Sequence, residues 1–277
     1  MMLEILAQEA SKGDKSALEE LVRQVQTKIH ALSVRMLYNL QDAEDATQEI
    51  MLKIITHLSG FKGKSAFMTW AYRIGANHLM TARKRNFERQ AESFEDYEAK
   101  LDHDNANTWA ELKSDPLQSL AVEEIKISCL QGLLLSLDRG HRLAFILVHV
   151  LDLNDKQGAQ VLGIAPATFR KRLSRARSRL GNFMIKNCRL IDPANRCQCE
   201  RVAAREVKHG HIQMGRLAFA DHPCRVKHED TISNHLQELD ALRHIGRLYK
   251  IHTDFKPPER ILQNIQNIIS ARQFNIL

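Results

Sequence analysis

Between Leu162 and Leu180 the chain reads LGIAPATFRKRLSRARSRL, with six basic residues and no acidic one. Cations at that density neutralise phosphates, so the chemistry on offer is binding to a nucleic-acid backbone. Phe169, Leu173, Ala176 and Leu180 recur at helical spacing and form one apolar stripe, which must face a core. Lys171, Ser174, Arg175 and Ser178 then point outward, with Arg170 and Arg177 on one flank and Arg172 and Arg179 on the other. Such a helix can read base edges in the major groove with its tip and grip phosphates with its sides. The plain alternative is a solvated basic helix.

A second set of residues offers a different chemistry. In GFKGKSAFMTWAYRIGANHLMTARKRN, Gly60 to Asn86, the aromatics Phe61, Phe67, Trp70 and Tyr72 alternate with Lys62, Lys64, Arg73, Arg83, Lys84 and Arg85. Aromatic faces can stack on unpaired bases while cations hold the strand. Some of these rings, Phe67 and Trp70 among them with Ile74, also suit a core.

A third set is soft. Cys188, Cys197 and Cys199, with His209, His211, His222 and Cys224 beyond them, could hold zinc or a copper ion, although the spacing is not that of a common zinc finger. A redox switch and plain buried thiols are the other readings. With Cys129 the cysteines number five in a chain of 277 residues, an odd count that argues against a disulfide framework.

Elements must position these residues. Ala144 to Leu153 and Asp155 to Gly163 read as the two helices that precede a recognition helix, with Gly163 in the turn and Pro166 in the first helical turn. Gly158 lies inside the positioning helix, where glycine costs about 1 kcal/mol relative to alanine, so the three-helix unit is expected to be modestly stable. Further upstream, Leu18, Leu21, Val22, Val25, Ile29, Leu32 and Met36 keep helical spacing from Ser16 to about Tyr38. After a break at Asn39 to Gln41 a second helix follows over Asp42 to Leu58. Its Ala43, Ala46, Ile50, Ile54 and Leu58 face inward, and Asp45, Gln48, Glu49 and Leu52 share another face. That face is acidic with an apolar centre, suited to a basic protein surface.

Composition sets bounds. Charged residues at 26% and hydrophobic ones at 44% indicate a globular protein, and the acidic, amphipathic N-terminus lacks the pattern of a signal peptide. A cytoplasmic location with no membrane partner is expected. The net charge of +7 is uneven, because eleven acidic residues face three basic ones between Asn86 and Glu124. That strip reads as a linker with short helical pieces. No Gly-rich phosphate loop, metal-binding carboxylate cluster or nucleophile motif is found, so no enzyme is expected. A conventional repressor or activator is the runner-up, but it has no need of the aromatic and basic segment.

DAEDATQEIMLKI, then TWAYRIGANHLMTARKR, then LGIAPATFRKRLSRARSRL, in this order and spacing, resemble an extracytoplasmic-function sigma factor of bacterial RNA polymerase, over about residues 10 to 185. The resemblance implies an all-α fold: a region 2 domain over 1–86, an acidic linker over 87–124, a helix-turn-helix region 4 domain over 125–185 and a mainly helical C-terminal extension over 186–277. It implies contact with core RNA polymerase through Asp42, Asp45, Gln48, Glu49 and Leu52. Lys62, Lys64, Ser65, Trp70, Arg73, Asn77 and Arg83 would recognise and melt the minus-ten element of promoter DNA. Thr168, Arg170, Lys171, Arg172 and Arg175 would bind the minus-thirty-five element. No cofactor is required on this reading, an anti-sigma factor is a further partner, and the protein would work in the cytoplasm at the bacterial nucleoid. The linker's charge would mimic a polyanion in polymerase channels. Where the family has Glu and an aliphatic residue before the alanine of the positioning helix, this chain has Gln157 and Gly158 before Ala159, so that helix is expected to sit differently. The extension, with Leu236, Leu239, Leu242, Ile245 and Leu248 in a stripe and Pro257 and Pro258 after it, is expected to pack on region 2 or region 4 and regulate access.

Overall fold

Side-chain caps set where the helices begin. In the computed structural model, which describes residues 2–81, 91–102, 116–213, 215–226 and 238–270, the Asp14 side chain accepts from Ala17 N at 3.0 Å and starts α2 (Lys15–Leu37). Tyr38, at φ 65°, turns the chain, and Asn39 accepts from Asp42 N at 2.9 Å to start α3 (Leu40–Thr56). An orphan N–H at a helix start is satisfied in each case. With α1 (Met2–Ser11) and α4 (Phe67–Thr81) these helices form an N-terminal bundle, and the inward residues expected on α3 are all buried. α1 also caps α4, because Glu4 Oε1 accepts from Phe67 N at 2.9 Å.

α5 (Phe94–Asp102) and α6 (Pro116–Leu135) follow. Pro116 opens a helix rather than closing a linker, its missing N–H costing nothing in the first turn, so α6 runs through the boundary expected at residue 124. α7 (Arg139–Phe145) continues into a π-helical turn over Ile146–Val150, which ends the helix three residues before the expected Leu153. α8 (Asp155–Leu162) and α9 (Pro166–Asn187) complete the helix-turn-helix, with Gly163 at φ 63° between them. Phe169, Leu173, Ala176 and Leu180 are buried as their spacing predicts.

The extension carries α10 (Cys199–Lys208), α11 (Glu238–His252) and α12 (Glu259–Ser270). Among the described residues the fold is all-α, with isolated bridges at Cys188 with Cys197 and Arg225 with Phe255. No helix there is long and apolar enough to cross a membrane. One core cluster runs without interruption from α1 through α9 to Ile245, Ile261 and Ile265 of the extension.

The positioning helix explains its unusual residues. Gln157 completes a reciprocal cap with Asn154: Asn154 N donates to Gln157 Oε1 and Gln157 N to Asn154 Oδ1, both at 3.0 Å. A Cβ at Gly158 would overlap the buried Phe169 ring. Glycine is therefore a packing requirement, which reverses the sign expected from helix propensity. Gly158→Ala should lower stability by ~1–3 kcal/mol, the usual cost of overpacking, rather than raise it. A gain in the urea midpoint of the variant would refute this.

Candidate nucleic-acid interface

On α3, Asp45 and Glu49 are exposed and Asp42, Gln48 and Leu52 half-buried, so the acidic face with its apolar centre does form. Gln41 Nε2 donates to Asp45 Oδ1 at 3.2 Å. His78 Nε2 lies 3.7 Å from Glu49, but burial and then Lys53 hold this imidazole below its ordinary value, leaving it neutral at pH 7.

Trp70 packs obliquely on Phe61 and Phe67, ring centroids 5.5 and 5.4 Å away. Phe67 is fully buried, whereas Trp70 is only partly buried and lines a cavity of about 290 Å³ with Phe61, Lys62, Lys64, Ser65, Thr69 and Arg73. Arg73 and Asn77 continue the Trp70 face along α4 and are exposed. The structure thus separates a core ring from a ring at a surface cavity rimmed by cations. Arg83, Lys84 and Arg85 lie outside the described residues.

On α9, Thr168, Arg170, Lys171 and Arg175 are exposed and Arg172 half-buried. Thr168, Lys171, Arg172 and Arg175 line a shallow cavity with Asp138, His141 and Met80. Two flanking arginines make contacts within the chain. Arg177 Nε donates to His149 Nε2 at 2.7 Å, and His149, held neutral by burial and the neighbouring Arg177 with its pKa down to about 4, can accept. Arg179 stands 5.4 Å over the Phe94 ring, a cation–π contact.

The two surfaces lie side by side. α8 packs on α4, Gln160 of α8 joins the Trp70 cavity, and Gly163 sits against the Arg73 guanidinium. Arg139 Nη1 donates to Met80 O at 3.0 Å. Arg142, fully buried, donates to Met36 O at the end of α2 (2.6 Å), to Leu134 O and Leu135 O at the end of α6 (2.9 and 3.2 Å), and to Leu137 O (3.0 Å). Nothing in sequence spacing marks Arg142, because backbone carbonyls leave no pattern.

Part of the acidic strip serves the extension. Glu124 accepts from Ala218 N, Phe219 N and Ala220 N at 2.9, 2.9 and 2.7 Å, and Glu123 pairs with Arg225 and with His252 at 2.8 Å. Burial raises and the His252 hydrogen bond then lowers the Glu123 carboxyl, which ends at about 2. These two charges are anchors rather than a polyanion mimic.

The candidate zinc or copper site at Cys188, Cys197 and Cys199 is not assembled among the described residues. Among the described residues no three His, Cys, Asp or Glu side chains group as an ion requires. Cys188 meets Cys197 in the bridge after α9, while Cys199 packs with Ala121, Ile125 and Ala203 against α6. Burial pushes the Cys188 and Cys199 thiols up and so keeps them protonated. His211 bonds Glu206 instead, at 2.8 Å.

Comparison with known proteins gives these surfaces a family. Residues 21–88 match Sigma-70 region 2 and residues 127–180 match Sigma-70 region 4. The chain belongs to the sigma-70 family, as a sigma factor of the extracytoplasmic-function type. It is 28% identical to the extracytoplasmic-function sigma factor SigW of Bacillus subtilis over 65% of this chain and 95% of the relative. Identity to the sigma-E factor of Escherichia coli is 29% over 65% of this chain and 92% of the relative. The sigma-H factor of Pseudomonas aeruginosa is 40% identical over 29% of this chain and 44% of its own length. The solved structure of CnrH with the cytosolic domain of CnrY aligns over 66% of this chain and 97% of that one, at 20% identity and a TM-score of 0.48. A sigma factor of this type directs RNA polymerase to promoters, is not an enzyme and requires no cofactor.

Proposed function

We propose that this sigma factor holds core RNA polymerase through the α3 face of Asp42, Asp45, Gln48, Glu49 and Leu52. Lys62, Lys64, Ser65, Trp70, Arg73, Asn77 and Arg83 open and hold the minus-ten element. Thr168, Arg170, Lys171, Arg172 and Arg175 read the minus-thirty-five element. The supporting observation is the partly buried Trp70, whose remaining surface lines a cavity rimmed by Lys62, Lys64 and Arg73. A repressor bound to closed duplex has no use for such a cavity, whereas a flipped base gains about 1–3 kcal/mol by stacking on an aromatic face. The work is done in the cytoplasm at the nucleoid, and an anti-sigma factor is a partner class consistent with the family.

Transcription in vitro with core polymerase and a promoter library tests the whole reading. Trp70→Ala or Lys64→Ala should reduce open complex, measured by permanganate reactivity of unpaired thymines, about tenfold while leaving the binding of core polymerase near the parent value. Equal reactivity in variant and parent would remove these residues from melting. A Trp70→Ala chain that unfolds as early as Phe67→Ala would instead place the ring in the core.

A further inference from the structure

The two last helices of the extension stand on different regions of the sigma factor. α11 packs on the π-helical turn and α9 of region 4: Leu242 lies over Gly181, Gly246 fits closely against His149, and Lys250 pairs with Asp152 at 2.6 Å. α12 packs on α2 and α3 of region 2 and buries Ile261, Ile265 and Ile269 there. Between them Phe255 enters a small cluster with Val34 and Ala43 of region 2, Ile127 of α6 and Phe219. Arg35 of α2 donates to Tyr249 O of α11 at 3.2 Å. The extension therefore grips both regions at once.

What it grips is closed. Elements named for positions ten and thirty-five lie some 25 base pairs apart, about 85 Å at 3.4 Å per pair, yet α8 of region 4 touches α4 of region 2 and Gln160 lines the Trp70 cavity. Both regions cannot reach their elements from this arrangement. On α3, the Arg260 guanidinium pairs with the buried Glu44 and donates to Gln41 Oε1 at 3.2 Å, and Gln41 in turn bonds Asp45. Gln41 and Glu44 lie on the flank of the face assigned to polymerase.

We propose that the extension is a clasp in cis: α11 and α12 hold regions 2 and 4 together, and α12 occupies a flank of α3 that core polymerase must clear. This rests on the assignment of the α3 face to polymerase. Binding of core polymerase and seating of α12 are then mutually exclusive, and freeing α12 opens the sigma factor.

The test uses the full chain with two substitutions. Ile265→Asp places a carboxylate at a buried position, and Arg260→Glu sets like charge against Glu44. Hydrogen–deuterium exchange should show α12 exchanging faster in each variant while α2 stays protected, with faster exchange of α4 and α8 where they meet. Titration with core polymerase should then show at least about tenfold tighter binding than the parent. Equal or weaker affinity in a variant whose α12 has been released would overturn the clasp, weaker affinity making α12 part of the polymerase contact. Release of α12 with unchanged protection of α4 and α8 would also overturn it. Core polymerase failing to bind parent and variants alike would instead defeat the assignment of α3, a separate outcome.

Discussion

Arg142→Met is expected to cost the fold about 3–5 kcal/mol. The guanidinium supplies donors to Met36 O, Leu134 O, Leu135 O and Leu137 O in a site without solvent. The last carbonyls of a helix have no intrahelical partner and carry the negative end of its dipole, so one cation satisfies the ends of α2 and α6 together. Methionine fills much of the volume and donates nothing, leaving buried acceptors unmet. Against a typical stability of about 5–15 kcal/mol, such a loss would leave a visible unfolded fraction at moderate urea. Arg142→Lys, which keeps charge but not the planar fork, should fall between. A loss below about 1 kcal/mol for Arg142→Met would show that the carbonyls do not depend on this side chain.

That residue also marks the limit of what the sequence discloses. α2, α3 and α9 were legible because a periodic apolar stripe and a local cap are written in adjacent residues. The Trp70 and Lys64 neighbourhood was legible because the loop and the helix start are contiguous. Partners distant in sequence were not. Glu123 and Glu124 counted only as linker charge, since their mates at Arg225, His252 and the amides of 218–220 lie beyond the helix-turn-helix. Helix propensity alone makes Gly158 a weakness, because the Phe169 ring that packs on it lies in the next helix. Arg177 and Arg179 stand on the two flanks of α9, and their contacts with His149 and Phe94 are not written in that helix's own spacing. The cysteines were close in sequence, yet the bridge after α9 and the start of α10 divide their surroundings.

Charge reversal on α3 carries the second large effect. Asp45→Lys with Glu49→Lys should weaken the complex with core polymerase at least about 30-fold, some 2 kcal/mol. Both side chains are exposed in the free sigma factor, so their replacement should leave the free energy of unfolding within a few tenths of a kcal/mol of the parent. Fluorescence titration with core polymerase reads the first quantity and urea unfolding the second. Unchanged affinity would remove this face from the interface, and the salt dependence of binding should fall together with the affinity if the contact is ionic.

The carboxylate of Glu4 at the first N–H of α4 ties the helix that carries Trp70 to the opening turn of the chain. A tag or bulky label that displaces Glu4 would therefore act at a distance, loosening the start of α4. If Trp70 opens the promoter as proposed, preparations that differ only in their leading residues will differ in how readily they form open complex.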